Sequence, residues 1–555
     1  MPTLNWIGKE KVINHHLDVP FRSLTRKYKF DPDGSNQGNM IIHGDNLEAL
    51  KALLPQYEGR IRCIYIDPPY NTGEEGWVYN DNMNDPRIKK WIGQVVGKEG
   101  EDLTRHDKWL CMMYPRLRLL QRLLSRDGVI FISIGEGELA SLSFLCDEIF
   151  GSHNRITVFG RQMKSGGAKG HYYTPNLDYI LAYAKEIDKL PYFRAIMTQE
   201  QIDTFYKFTE TDGPRKGEIY GEERLFKASL EPRANQRYYI QCPDGSFAIP
   251  PGIHFPERLE EGLIVSPDKT DKVWKWIYPR YCREKEAGNI IFKRTSTSGL
   301  IDENGNKSKW NIYNKLWLNE QQGKGVVPSN LITNYENRQS AAQLKALGLE
   351  FNYAKPVGMI EYLLTISLQD KDAIVLDSFA GSGSTAHAVM NMNKADGGHR
   401  KFILIEMCDY AESITAERVR RVINGYGEGK NVVEGTGGSF SFYELGVPLF
   451  DEDGLLNTEA PLPDIRSYVF YSETRQPLNA RMENDPYFLG TNDNTAYYFC
   501  FEKDRRTALS HALLRKFSHG AERYVIYADV CMLSADELKK FNITFKKIPR
   551  DISRF

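Results

Sequence analysis

The tetrapeptide Asp67-Pro68-Pro69-Tyr70 directly follows the apolar run 64–66, so a carboxylate and an aromatic ring emerge where a predicted strand ends. Proline lacks a backbone N–H and holds φ at about −65°, so two prolines in succession form a rigid corner that presents carbonyl oxygens. The Asp67 carboxylate and a nearby carbonyl are two acceptors beside one ring. An exocyclic amino group on a planar base offers two donors and a π face. The tetrapeptide therefore predicts an amine substrate, with a proline-rich strand exit as the alternative.

A second motif is a glycine loop between a predicted strand that ends at Asp377 and a predicted helix. Gly381 and Gly383 allow a tight turn and the close approach of a ligand. Ser384 or Thr385 is suited to cap the helix that begins there. The loop therefore predicts a binding site for a nucleotide-like cofactor.

The chain beyond the loop bears on which cofactor it takes. The next predicted strand ends in the acidic Glu406, which suits ribose hydroxyls, and the glycine spacing also fits the dinucleotide fingerprint. The loop alone leaves NAD and other adenosine cofactors open. A dehydrogenase that uses NAD is therefore one alternative, although it gives residues 67–70 no role.

Taken together, the two motifs resemble those of the amino-methylating DNA methyltransferases, whose signature is D-P-P-Y plus F-x-G-x-G. The tetrapeptide precedes the glycine loop, which resembles the circularly permuted order of the β group. The stretch 44–50, running into residues 65–73, resembles more closely the modification subunits of type III restriction-modification systems. The resemblance implies an α/β, Rossmann-like S-adenosylmethionine-dependent methyltransferase fold.

The resemblance also implies a role for each matching residue. Asp67 and the Pro68 carbonyl are expected to accept the two amino hydrogens while Tyr70 stacks on a flipped base, with Pro69 completing the catalytic tetrapeptide. The residues expected to bind S-adenosylmethionine are Asp45, Asn46, Lys355, Asp377, Phe379, Gly381, Gly383, Thr385 and Glu406.

The expected reaction is direct transfer of the methyl group to an amino nitrogen. Cytosine C5 methylation needs a cysteine nucleophile, expected after a proline, and no Pro-Cys dipeptide occurs in the sequence. Asp before Pro-Pro-Tyr favours adenine N6 in the resembled family. A cytosine-N4 enzyme, or a DNA-reading subunit with little activity of its own, are the alternatives.

The strand–loop–helix rhythm is interrupted once, by a stretch rich in scattered Gly, Pro and aromatic residues, which predicts an inserted mixed domain. The resemblance assigns target recognition to this insert and docking or dimerisation to the tail. The predicted parts are an N-terminal arm, 1–38; a catalytic half, 39–186; a target-recognition insert, 187–350; a cofactor half, 351–430; and a small α/β C-terminal domain, 437–555.

Two basic segments predict contacts to double-stranded DNA. In residues 269–294, cations alternate with aromatic residues, the types that phosphate and base contacts require. In the glycine-rich segment 161–173, lysines could hold a phosphate and a tyrosine could stack on an extruded base, with a plain surface loop as the alternative. The predicted DNA-binding residues are Lys164, Lys169, Tyr172, Lys275, Arg280, Arg283, Lys293 and Arg294.

Composition adds few constraints. The 555 residues carry a formal net charge of −1, so no global field attracts the protein to DNA. The eight cysteines include no C-x-x-C pair, and no metal site is predicted. The absence of a signal peptide or apolar span predicts a cytoplasmic protein without membrane contact. The type III resemblance implies a homodimer, with a helicase-nuclease restriction subunit as a further partner.

Overall fold

A computed structural model describes residues 4–71, 101–166, 172–451, 453–478 and 485–554. It divides into two compact units, of which the first combines Met1–Phe193 with Ser329–Phe555 and the second is Arg194–Pro328. The second unit lies within the predicted insert 187–350, and residues 329–350 belong to the first unit. No helix in the described ranges is long and apolar enough to cross a membrane.

The first unit is built on a ten-stranded sheet. Its central strands are continuous apolar runs, as expected for parallel strands with both faces covered. In spatial order the strands are Arg22–Phe30, Phe440–Pro448, Asn39–His43, Lys401–Glu406, Ile374–Asp377, Ile61–Ile66, Leu124–Ile134, Leu177–Ala184, Arg155–Gln162 and Leu331–Ile332.

The central strands are parallel, and their connections reverse direction at one point in the sheet. The Ile374–Asp377 strand pairs in parallel with Ile61–Ile66. After Ile374–Asp377 the chain continues to the neighbouring strand on one side, Lys401–Glu406. After Ile61–Ile66 it continues to the neighbouring strand on the other side, Leu124–Ile134. Ligands of open α/β sheets bind at the carboxyl ends of the strands at such a switch point. The two motifs predicted to do chemistry follow these two strands.

Helices cover the sheet. The apolar faces of Asn46–Tyr57 and Glu101–Leu123 contribute Leu50, Leu53, Leu117 and Leu120 to the main core, all at most 1% exposed. In the described residues of the first unit, the α-helices are Lys9–Val12, His15–Asp18, Asn46–Tyr57, Glu101–Leu123, Glu136–Cys146, Asn337–Ala346, Val357–Ser367, Ser384–Asp396, Glu417–Asn424, Leu462–Thr474, His511–Leu514 and Ala535–Lys540.

Two predicted boundaries cut through the main sheet. The Arg22–Phe30 strand, in the predicted N-terminal arm, pairs antiparallel with Phe440–Pro448, in the predicted C-terminal domain. The latter strand also pairs in parallel with Asn39–His43. The rest of the tail contains a separate four-stranded sheet, of Phe488–Asn492, Thr495–Phe499, Arg523–Ala528 and Ile543–Lys547, and belongs to the same compact unit as the main sheet.

The second unit is mixed and has a separate core. A four-stranded sheet joins Ile290–Arg294, Trp310–Trp317, Ile219–Arg224 and Phe208–Thr209, and a three-stranded sheet joins Ile301–Asp302, Phe247–Ile249 and Ile240–Gln241. Its helices are Gln199–Phe205, Tyr278–Glu286 and Leu318–Gln322. Trp274, Tyr238 and Tyr281 are fully buried in its core.

Candidate active site

The residues Asp67 to Tyr70, here called the proline corner, follow the buried Ile61–Ile66 strand as predicted. Both carboxylate oxygens of Asp67 accept hydrogen bonds from Lys355 Nζ, each at 2.6 Å. The same ammonium lies 4.7 Å from the centre of the Tyr70 ring. The carboxylate, the ring and the lysine thus form one cluster, although Lys355 lies 288 residues from Asp67.

A buried ion pair supports the Tyr70 ring. The Tyr70 hydroxyl donates to Asp178 Oδ2 at 3.2 Å. Asp178 is held by two bonds from the Arg161 guanidinium, at 2.6 and 2.7 Å. Burial and the nearby Asp67 and Asp178 charges raise the pKa of Tyr70 well above its usual value, so the hydroxyl stays protonated. Tyr70 therefore presents a fixed, neutral ring.

The backbone of the proline corner is held from the Glu101–Leu123 helix. Trp109, fully buried, donates its indole N–H to the Pro69 carbonyl at 2.8 Å. The next residue, Asn71, is buried in the left-handed region with φ 56°. Its amide and His106 both bond to the fully buried Glu138. These contacts fix the carboxyl-terminal end of the corner.

The glycine loop adopts the tight turn that its sequence predicts. Gly381 and Gly383 have φ of 50° and 81°, and a Cβ at Gly383 would lie 3.2 Å from the Thr415 carbonyl. The predicted capping role of Ser384 or Thr385 is wrong, because Gly383 is itself the N-cap and no side chain caps the helix. Those two hydroxyls instead donate to the Lys355 carbonyl and to Asp377, respectively.

Asp377 is buried beneath this loop. It accepts the Phe379 N–H at 3.0 Å and the Thr385 hydroxyl at 2.5 Å. Burial raises the pKa of Asp377 to about 7, although both hydrogen bonds act in the opposite direction. The carboxyl therefore links strand, loop and helix and titrates near neutrality.

Glu406 and the Asp45-Asn46 pair flank the loop. Glu406 is buried, and its oxygens accept the N–H groups of Gly381 at 2.7 Å and Cys408 at 3.0 Å. Asp45 caps the Asn46–Tyr57 helix by accepting the N–H groups of Leu47 and Glu48.

The Asn46 side chain is fully buried. Its amide donates to the Ser378 carbonyl at 3.1 Å, and its oxygen accepts from Arg116 at 2.5 Å. Asn46 thus ties the end of the Asn39–His43 strand to the beginning of the glycine loop.

Residues of both motifs line one cavity at the switch point. Asp67 comes from the proline corner, Phe379 and Gly381 from the glycine loop, and Lys355 from the segment before the Val357–Ser367 helix. The other lining residues are Tyr65, Phe351, Tyr353, Ala354, Ile360, Asp377, Ala380, Ser382, Ser384 and Thr385.

The predicted DNA-binding residues of the second unit fall into two groups. Lys275 and Lys293 are half-buried in ion pairs with Glu223 and Glu222. Arg280, Arg283 and Arg294 are exposed. Of the aromatic residues predicted to alternate with them, Trp274, Trp276 and Tyr281 are buried in the core of the unit, and Tyr278 is partly buried against it.

The glycine-rich segment 161–173 is only partly described. Lys169 lies outside the described residues, Lys164 is half-buried and Tyr172 is 99% exposed. Arg161, at the start of the predicted loop, instead lies in a strand and is fully buried.

The supporting residues Arg161, Trp109 and Glu138 escaped prediction from the sequence. In the sequence, Arg161 lies in the glycine-rich segment 161–173 that predicts DNA contacts, and no pattern there indicates its burial or its pairing with Asp178. Their contacts join segments 17 to 67 residues apart. A single sequence carries no sign of such pairings.

Comparisons with known proteins match the part of the chain that carries both motifs. The family model described as DNA methylase, for N6 and N4 methyltransferases, matches residues 61–417, a range that includes both motifs. The Mod subunit of the type III restriction-modification enzyme EcoPI, from Escherichia phage P1, is 30% identical over 441 residues, which cover 73% of this chain and 63% of that protein.

Two further relatives extend the comparison. The Mod subunit of the type III enzyme StyLTI, from Salmonella typhimurium, is 30% identical, over an alignment that covers 67% of this chain and 53% of that protein. The type II methyltransferase M.KpnI, from Klebsiella pneumoniae, is 27% identical, over an alignment that covers 69% of this chain and 85% of that protein. The chain thus spans between 53% and 63% of the length of these two Mod subunits.

Proposed function

This chain belongs to the N6/N4 DNA methylase family, and we propose that it transfers a methyl group from S-adenosylmethionine to the N6 amino group of a flipped adenine in double-stranded DNA. We further propose that it acts as the modification subunit of a type III restriction-modification system. The observation that carries the proposal is the cavity shared by Asp67, Lys355 and the glycine loop at the switch point of the sheet.

The residues around the glycine loop fit S-adenosylmethionine. The left-handed Gly381 and Gly383 keep the loop free of side chains where a ligand must approach closely. In our proposal Phe379, Gly381 and Gly383 hold the methionine end of the cofactor. Glu406 binds the ribose, and Asp45 contacts the adenine. When bound, the sulfonium supplies an activated methyl group.

The protein's own part in the reaction is to position the amine. Asp67 and the Pro68 carbonyl accept the two amino hydrogens and direct the nitrogen lone pair toward the methyl group, while Tyr70 stacks on the base. The bond from Trp109 to the Pro69 carbonyl and the bond from Tyr70 to Asp178 keep these acceptors and the ring in place. The proton lost by the methylated nitrogen passes to Asp67.

Adenine is preferred over cytosine in this proposal for two reasons. Asp rather than Ser precedes Pro-Pro-Tyr, and two of the relatives that match at 30% identity are type III Mod subunits. Cytosine N4 is the second candidate because its amino group offers the same two donors. We assign the reading of the DNA sequence to the second unit, and we propose a homodimer that works with a helicase-nuclease restriction subunit.

Transfer of a radiolabelled methyl group tests this proposal. The purified protein is expected to label double-stranded DNA, and Asp67→Ala to abolish labelling while calorimetric affinity for S-adenosylmethionine stays within about threefold. Asp127→Ala, which removes a carboxylate that pairs with Arg62, is the control and is expected to keep activity. Labelling by the Asp67→Ala variant, or tight binding of NAD instead of S-adenosylmethionine, would refute the assignment.

A further inference from the structure

Lys355 occupies an unusual position at the proline corner. Its ammonium makes two hydrogen bonds of 2.6 Å to Asp67 and lies 4.7 Å from the centre of the Tyr70 ring. An ammonium nitrogen carries several N–H donors, as an exocyclic amino group does. The nitrogen of Lys355 therefore makes the bonds to Asp67, beside the Tyr70 ring, that the proposed mechanism gives to the amino group of the target base.

The backbone of Lys355 is anchored, whereas its side chain is long and flexible. The Lys355 carbonyl accepts the Ser384 hydroxyl at 3.1 Å, and the next residue, Pro356, caps the Val357–Ser367 helix. Four methylene groups separate this anchor from the ammonium, so the charge can move while the backbone stays. The side chain of Lys355 is 11% exposed and that of Asp67 23%, so solvent is near enough to receive a displaced ammonium.

We infer that the Lys355 ammonium occupies the amine position on Asp67 before DNA binds, and that the amino group of the target base displaces it when the base enters. This inference rests on the proposed function and identifies Lys355 as a positioning residue. In the protein without DNA, the ion pair keeps the Asp67 charge partnered. On base entry the amino group takes over the bonds to Asp67, and the ammonium moves toward solvent.

The exchange has a thermodynamic consequence for the contribution of the target amino group to binding. In the wild type, the gain from the amine–Asp67 bonds is offset by loss of the ion pair, so the amino group adds little to DNA affinity. In Lys355→Met the carboxylate has no partner before the base arrives, and the amino group is expected to add more. If Lys355 instead stayed beside the amine to hold Asp67, its loss would leave that contribution unchanged or smaller.

The experiment compares two duplexes that differ only in the target base. One carries adenine at the methylated position and the other carries purine, which lacks the amino group. The dissociation constant of each duplex is measured for the full-length protein and for Lys355→Met. We expect the preference for adenine over purine to rise about tenfold in Lys355→Met, since a hydrogen bond to a charged group is of that size.

Two controls keep the result specific. Lys355→Arg retains a cation on Asp67 and is expected to keep the wild-type preference. Lys9→Met removes a lysine of matched burial, 12% exposed and 2.6 Å from Glu148, and is also expected to leave the preference unchanged. A preference that does not rise in Lys355→Met, while the wild type still methylates the adenine duplex, overturns the inference and leaves the proposed function intact. Absence of methyl transfer to the adenine duplex refutes both.

Discussion

At the scale of single residues, the partners of each side chain decide what it can do in this site. The sequence predicts Asp67, Tyr70 and Lys355 as functional residues, and the structure brings them together. It does not predict that Lys355 contacts Asp67 directly, because the pair is 288 residues apart and a lysine carries no mark of its partner. The contact between Arg161 and Asp178 is not predicted either, because Arg161 belongs to a glycine-rich segment that predicts a DNA-contacting loop.

Asp377 gives a prediction about pH. Its pKa is raised to about 7 in the folded protein, so its proton stabilises the fold below its ordinary pKa, and that stability is lost as pH rises toward 7. Asp377→Asn removes this titration. Relative to the wild type, the variant is expected to gain on the order of 2 kcal/mol of unfolding free energy between about pH 5 and about pH 8.

Urea unfolding of both proteins at the two pH values, without cofactor, measures this difference. Because the comparison is made between two proteins at each pH, titration of the carboxyl groups that do not interact with Asp377 cancels. An identical difference between variant and wild type at both pH values would show that Asp377 does not titrate in this range.

At the scale of elements, the site depends on two strand ends and the loops that follow them. The apolar runs before Asp67 and before the glycine loop predict strands, and both are present. Their adjacency in the sheet is a property of topology, because residues 67–373 separate them in the chain. The wrong prediction of the helix cap has a local cause, since the left-handed Gly383 takes the N-cap position and frees both hydroxyls for tertiary bonds.

The glycines at the two ends of the Ser384–Asp396 helix form a matched pair for mutation. Gly383 and Gly397 are both left-handed, with φ of 81° and 67°, so alanine costs about 1 kcal/mol of backbone strain at either. Only at Gly383 would the new Cβ press on a neighbour, the Thr415 carbonyl at 3.2 Å. Nothing in the described residues lies within 4 Å of a Cβ at Gly397.

Gly383→Ala is therefore expected to weaken S-adenosylmethionine binding about tenfold, and Gly397→Ala to leave it unchanged, although both lower the unfolding temperature, Gly383→Ala by more. Isothermal calorimetry and thermal unfolding report the two quantities separately. Equal loss of affinity in the two variants would mean that strain in the helix, and not the loop, controls the site.

At the scale of the whole molecule, the chain folds as two compact units. The sequence predicts an insert between two parts of one α/β domain, and the second unit, Arg194–Pro328, falls within it. The predicted boundaries before residue 39 and at residue 437 differ from the structure, because strands from both termini pair with each other at the edge of the main sheet. Edge strands of this kind have alternating polarity and carry no sign of their partner.

The cations predicted to bind DNA in the second unit differ in whether they are exposed or held in ion pairs. Arg280 and Arg283 are exposed on one helix, whereas Lys275 and Lys293 pair with glutamates. The double variant Arg280→Ala, Arg283→Ala is expected to weaken DNA binding and to reduce the salt slope of log affinity by about 2, for two lost phosphate contacts. Lys275→Ala, Lys293→Ala is expected to change the slope by less than about 1.

Binding of double-stranded DNA at several salt concentrations, followed by fluorescence anisotropy, provides the slopes. S-adenosylmethionine affinity serves as the folding control for both double variants. A larger slope change from the paired lysines than from the arginines would assign the phosphate contacts to Lys275 and Lys293 and contradict this prediction.

The central claim is that the proline corner methylates adenine in double-stranded DNA. Single-molecule sequencing of genomic DNA, from cells that express either the wild type or Asp67→Ala, tests it most directly. The account predicts N6-methyladenine in one recurring sequence context with the wild type and none with Asp67→Ala. Modified cytosine in place of adenine, no modified base with the wild type, or the same mark with Asp67→Ala would contradict it.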